Sequence, residues 1–144
     1  MANVFDVAKY ILKKHGPTST VKLQKLVYYS QAWSLVWDEK PIFKDKIQAW
    51  ANGPVIPNLF RAHKGKFIVN TKDFSQGKLK KLNQDEKETI NSVLDYYGDK
   101  TAQWLVDLTH LEDPWKDARI GCNPGERCSN KIRLGSLMEY YSGL

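Results

Sequence analysis

Apolar residues recur at helical spacing in the opening segment NVFDVAKYILKKHG. Val4, Val7, Ala8, Ile11 and Leu12 share one face, with lysines opposite. Asn3, with Asp6 three residues on, predicts a capped start, and Gly16-Pro17 predicts the stop. After the TST cluster at 18–20, a second helix is expected over residues 21–37. Leu23, Leu26, Val27, Ser30, Trp33 and Trp37 form one face there, while Tyr28, Tyr29 and Leu35 leave little of the remainder polar. A helix apolar over most of its circumference packs on several sides, so this segment is expected to be the centre of the core.

The pattern changes after Asp38. PIFKDKIQAWANG carries β-branched and aromatic residues in partial alternation, which predicts a short strand around Lys46–Trp50. KFIVN at 66–70 reads similarly and is expected to pair with it. Such a small sheet cannot stand alone and must lie against helices. Between the two, AWANGPVIPNLFRAHKG reads as a strand-to-helix corner. Gly53 can take a conformation closed to other residues, Pro54 pushes its predecessor away from α, and Pro57 fits a first helical turn. Leu59 and Phe60 are expected to divide between core and surface.

TKDFSQGKLKKL is then expected to be a polar loop of a length often mobile or functional. Asn83 with Glu86 predicts the cap of a third long helix carrying Ile90, Val93, Leu94 and Tyr97, stopped by Gly98. Thr101 is expected to cap a shorter helix bearing Trp104, Leu105 and Leu108. Asp113-Pro114 reads as an N-cap and first helical position leading through Trp115 and Ala118. The tail reads as a loop at 121–130, an extended piece at 131–134 and an amphipathic end with Leu137, Met138 and Tyr141. The expected fold is mainly α: a single-domain helical bundle over 1–144, with a small two-stranded β element between the second and third long helices.

Composition adds a bias towards binding. Of 144 residues, 42% are hydrophobic, and five Trp and seven Tyr are a heavy load; such side chains stabilise cores and anchor protein interfaces. A net charge of +6 attracts anionic partners. Arg occurs only at 61, 119, 127 and 133, too dispersed for a recognition helix, so nucleic acid is not the expected partner. No targeting signal or membrane span is read, and a cytoplasmic location is expected. Cys122 and Cys128 in CNPGERC could close a small loop, but in a reducing compartment two free thiols are the better expectation. No metal site is expected, because His15, His63 and His110 lie far from the cysteines in sequence. No nucleophile elbow, phosphate loop or metalloprotease motif is present, so no catalytic residue and no cofactor is assigned. The nearest catalytic cluster is DLTHLEDPW, with Asp107, Thr109, His110, Glu112 and Asp113. A His beside carboxylates could serve as a base, but at a helix C-terminus His110 is read as structural.

Three stretches together resemble a known family: KLQKLVYYSQAW (22–33), PIFKDKIQAWANGPVIPNL (41–59) and LTHLEDPW (108–115). In order and approximate spacing they are similar to the Panacea domain, also called the SocA-like antitoxin domain, of phage-associated GepA-type proteins. The resemblance covers roughly residues 3–120 and leaves 121–144 as a divergent tail. The matching positions are Lys22, Leu23, Trp33, Trp50, Gly53, Pro54, Pro57, Thr109, His110, Pro114 and Trp115, read as structural. The resemblance implies a non-enzymatic antitoxin that holds a cognate protein toxin inactive by direct contact. In one branch such proteins hand the toxin to a protease, so a protease is an alternative partner. A basic nucleic-acid-binding regulator is a further alternative, suggested by charge. On this reading the 53–57 corner would present Asn52, Asn58, Arg61, His63 and Lys64 as the partner-binding face.

Overall fold

In the computed structural model, which describes residues 1–144, the aromatic-rich stretch forms helix α2 (Thr20–Trp37), capped by the Ser19 hydroxyl. Thirteen of its residues are buried, including the polar Gln24, Lys25, Ser30, Gln31 and Ser34. Around it pack α1 (Val4–His15), α4 (Gln84–Tyr97), α5 (Ala102–Leu111) and α7 (Leu134–Ser142). The short helices α3 (Pro57–His63) and α6 (Asp113–Ala118) complete a mainly helical chain with two small antiparallel sheets. No helix is long and apolar enough to cross a membrane.

Two buried glutamines of α2 fix the chain that follows. Gln31 accepts from the Ile42 and Phe43 N–H groups and donates to the Phe43 carbonyl. Gln24 accepts from Ile56 N–H and donates to the Ile56 carbonyl. Each side chain replaces the sheet partner that a buried extended strand would otherwise need. The apolar residues beside them, Ile42, Phe43 and Ile56, are therefore carried fully into the core.

The strand pairing differs from expectation. Residues 66–70 do not pair with 46–50; β4 (Ile68–Val69) pairs with β1 (Thr18–Ser19), just ahead of α2. Strand β2 (Ile47–Trp50) is instead central in a three-stranded sheet, between β3 (Gly53–Val55) and β5 (Lys131–Ile132). Both edges of β2 are thus occupied, and Thr20 N–H is bonded to Phe67 O at 2.9 Å, holding β4 beside the start of α2. Gly53-Pro54-Val55 is itself a strand rather than a bare corner, and Pro57 sits in the first turn of α3 as expected.

Local capping follows the sequence closely. Asn3 with Asp6 and Asn83 with Glu86 both form reciprocal capping boxes, and Thr101 caps α5. The 71–82 segment is more ordered than a polar loop. It forms two 3₁₀ turns, buries Phe74 and Leu82, and Asp6 Oδ1 accepts from Lys78 N–H at 2.6 Å. Helix α6 starts one position early, with Glu112 rather than Asp113 at the cap, because the Glu112 side chain turns inward.

Cys122 and Cys128, expected as free thiols, are bonded to each other. The buried Arg119 guanidinium collects the carbonyls of Asn123 and Glu126. The loop is thereby curled until the two Cα atoms lie 6.0 Å apart, within the span a disulfide requires.

Candidate partner-binding cleft

The β2–β3 hairpin, the first turns of α2 and helix α3 enclose a cavity of about 210 Å³. Its rim is aromatic. Trp50 meets Phe60 edge to face at 4.9 Å, and the Arg127 guanidinium lies 4.1 Å over the Trp50 ring. Val21, Ala51, Asn52 and Val55 supply the remaining walls, with Gln24, Lys25 and His63 among the lining.

Behind the hairpin stands a buttress built from the third sequence block. His110 stacks on Trp115 at 4.0 Å, and the Arg119 guanidinium lies 5.2 Å from the Trp115 ring centroid. Trp115 Nε1 donates to Trp50 O, and Arg119 donates to Ala49 O. The hairpin backbone is thereby held at its Ala49 and Trp50 carbonyls. Burial lowers the His110 pKa, the Ala51 backbone opposes that shift, and Nε2 has no hydrogen-bond partner.

Lys25 is the unusual group. It is 1% exposed, donates to Pro54 O at 3.1 Å and has no carboxylate partner. Burial lowers its pKa from 10.5 to about 7. Beside it, Gln24 Nε2 faces His63 Nε2 at 3.0 Å. Because Gln24 Oε1 already accepts from Ile56, the amide is the donor in this contact, which puts the neutral imidazole proton on Nδ1. That Nδ1 is buried and has no partner. Burial lowers the His63 pKa and the Lys25 charge lowers it further, against a smaller opposing effect of its own backbone.

Two members of the 107–115 cluster, His110 and Glu112, are engaged with different partners. His110 lies flat on Trp115, whereas Glu112 turns into the core and accepts from both Tyr29 and Tyr141 hydroxyls at 2.7 Å. Tyr28 joins through Tyr141 at 2.9 Å, and Tyr29 stacks on Tyr97 at 4.1 Å. Burial raises all these phenol pKa values, Tyr97 to about 12, and it raises the Glu112 pKa against the two tyrosine bonds. The folded state therefore holds the Glu112 proton more tightly than the unfolded chain. This group's contribution to stability must fall as pH rises from 4.5 through its folded pKa. Glu112→Gln is expected to cost about 1 kcal/mol, since an amide satisfies two hydroxyl donors less well. It is also expected to flatten that decline; urea midpoints between pH 4 and 7 for both proteins check it.

Of the residues expected to face a partner, Asn52 reaches the rim and His63 lines the cavity. Asn58 bonds Asp45 and accepts from Arg61, and Arg61 and Lys64 are exposed outside the cleft. Lys22 reaches instead to Gly98 O, Leu23 is fully buried and Trp33 donates to Tyr97. Thr109 and Pro114 are buried behind the hairpin and at the start of α6. Sequence reasoning missed Lys25, Phe60 as a wall, and Arg127. The available signal was position: a lysine within a helix apolar nearly all round cannot easily reach water.

Beside the cleft lies a mixed shelf that shares Val21 and Asn52; Phe67, Ala102 and Val106 are its apolar part, and Ser19, Gln103, Asp107 and His110 its polar part. Phe67 is 76% exposed and Ile68 55% exposed. A second apolar patch, Trp37 with Tyr96 and Leu144, lies at the opposite end of α2.

Residues 23–116 match the family described as antitoxin SocA-like, Panacea domain. The chain belongs to this family. All three sequence blocks lie within or overlap the matched region, and the cleft walls belong to it except Thr20, Val21 and Arg127. This Panacea domain is also 34% identical over 143 residues to a protein named Antitoxin SocA from Caulobacter vibrioides, covering 89% of this chain and 75% of that one. No solved structure matches it significantly.

Proposed function

We propose that the chain is a non-enzymatic antitoxin that neutralises a cognate protein toxin by direct binding, and that the cleft and shelf are the contact face. The observation that carries this is the set of aromatic and apolar side chains Trp50, Phe60, Val21 and Phe67 along the cleft and shelf, set among polar groups beside the His110–Trp115 stack. Exposed apolar surface rimmed by polar groups marks interaction sites, and aromatic and Arg anchors dominate their energetics. On the same reading residues 1–144 act as one unit. The flanks outside the family match are structural parts of it: α1 and α7 contribute to the single hydrophobic core, and β5 pairs with β2.

Co-expression with the protein encoded beside it, scored by growth rescue and co-purification, tests the proposal. Rescue with a stable complex supports sequestration. Rescue with loss of the toxin protein would point instead to delivery to a protease. A neighbour harmless on its own would remove the toxin reading. Phe67→Ser is expected to leave the melting temperature nearly unchanged, because the side chain is exposed. It is expected to weaken the complex about tenfold, as loss of one interface aromatic does; calorimetric titration of the purified pair decides.

A further inference from the structure

The lining of the cleft has a chemical bias that apolar docking alone does not explain. Lys25, His63 and Arg127 line it, and no carboxylate does. Lys25 has a single hydrogen bond, to a backbone carbonyl, although an ammonium has three donors. Burying a cation without a paired anion is costly, and buried charges are ordinarily paired. Here the anion is missing from the chain itself, while Trp50, Phe60 and Val55 offer an apolar seat beside the amine.

We propose that the cleft is a receptor for one acidic residue of the toxin, whose side-chain carboxylate reaches Lys25 while an adjoining apolar side chain rests on Trp50 and Phe60. This rests on the reading of this face as the toxin contact. The cavity of about 210 Å³ has room for a side chain rather than a domain element. Arg127, exposed over Trp50, lies at the entrance and favours approach of an anion.

The pair also makes binding sensitive to pH. With its pKa near 7, the free amine is largely neutral at pH 8.5, so binding a carboxylate there must recruit a proton. The other charged or titratable groups towards Lys25 are His63 on α3, His110 on α5 and Arg127 on the 121–130 loop. Both imidazoles are shifted below 6.5 by burial. Lys25 is therefore the amine among them whose charge changes around pH 7.

The test uses the full chain, and its first arm needs no toxin. 3-Phenylpropionate and its amide are titrated while the Trp50 indole N–H signal is followed by NMR at pH 6.5 and 8.5. The acid is expected to bind at least about tenfold more tightly than the amide at pH 6.5, the scale of a charge-assisted contact. It is expected to lose about tenfold by pH 8.5 as Lys25 discharges. Lys25→Met should abolish the acid's advantage, and Arg127→Gln should reduce it. Equal binding of acid and amide, an unchanged preference in Lys25→Met, or no movement of the Trp50 signal would overturn the proposal. Saturating 3-phenylpropionate should also loosen the co-purified toxin complex. If the fragment binds and the complex is indifferent to it, the carboxylate receptor stands but its assignment to the toxin fails. If the fragment does not bind, growth rescue still judges the antitoxin reading by itself.

Discussion

Gly53→Ala is expected to lower the stability of the fold by about 3 kcal/mol, combining backbone strain with overpacking. Gly53 has φ +111°, a conformation closed to residues with a Cβ. A Cβ there would also lie 2.7 Å from Lys25 Cε and 2.8 Å from Thr109 Oγ1. Neither neighbour is free to yield: Lys25 is tied to Pro54 O, and Thr109 to Val106 O at 2.8 Å. Relief must come from moving the β2–β3 hairpin, which also carries Trp50 and Asn52 into the cleft. Chemical denaturation read by tryptophan fluorescence should show the loss, and the Trp50 NMR signal should shift with it. A cost below about 1 kcal/mol, the ordinary surface-to-core average, would mean that the hairpin is not held as tightly as these contacts require.

The glycine illustrates how far the sequence could be read. Features decided within a few residues were legible: the Asn3–Asp6 and Asn83–Glu86 boxes, Pro57 in a first turn, and most of the buried faces of α1, α2 and α4, although Trp37, expected on the α2 face, is 51% exposed at the helix end. Each depends on local spacing or local hydrogen bonding. Strand pairing was not legible. Thr18–Ser19 and Lys131–Ile132 are two-residue strands with no periodicity to detect, and their partners are chosen by packing on α2. Pro54 in a strand was masked by its usual role in turns. β3 is an edge strand, so the missing N–H costs little, while the Pro54 carbonyl is available to Lys25.

The candidate site was half legible for a related reason. Asn52 and His63 follow from the corner, but the α3 positions 58 and 61 and Lys64 just after the helix do not line the cleft. Lysine and glutamate are ordinarily surface residues, so Glu112 gave no sequence signal of its burial, and the signal Lys25 gave, its place in a helix apolar nearly all round, runs against that rule. Arg127 reaches the cleft only because Arg119 curls the 121–130 loop back onto the sheet.

Replacing Lys25 with methionine should make the protein more stable. Below pH 7 the folded chain buries a charge that the unfolded chain leaves in water. A pKa lowered from 10.5 to about 7 makes that a penalty of several kcal/mol, at about 1.4 kcal/mol per pKa unit. Methionine fills a similar shape without the charge but leaves Pro54 O without its donor, which returns about 1 kcal/mol or more. The expected net gain is about 3 kcal/mol at pH 6, or roughly 10 °C in Tm at this chain length. The sign with pH follows from the lowered pKa. Between about 7 and 10.5 the unfolded state binds more protons at this site than the folded state, so wild-type stability rises with pH across that window. The advantage of Lys25→Met should therefore shrink steadily and vanish near pH 10, where tyrosine ionisation begins to destabilise the wild type and the variant alike. Thermal unfolding of both proteins at half-unit steps from pH 6 to 10 measures the difference directly. A destabilised variant at pH 6 would mean that Lys25 is compensated within the chain, and the case for an external carboxylate would lose its energetic basis. A stabilised variant that no longer distinguishes acid from amide would show a residue kept at a cost to the fold for what it binds, the trade expected of functional groups in marginally stable proteins.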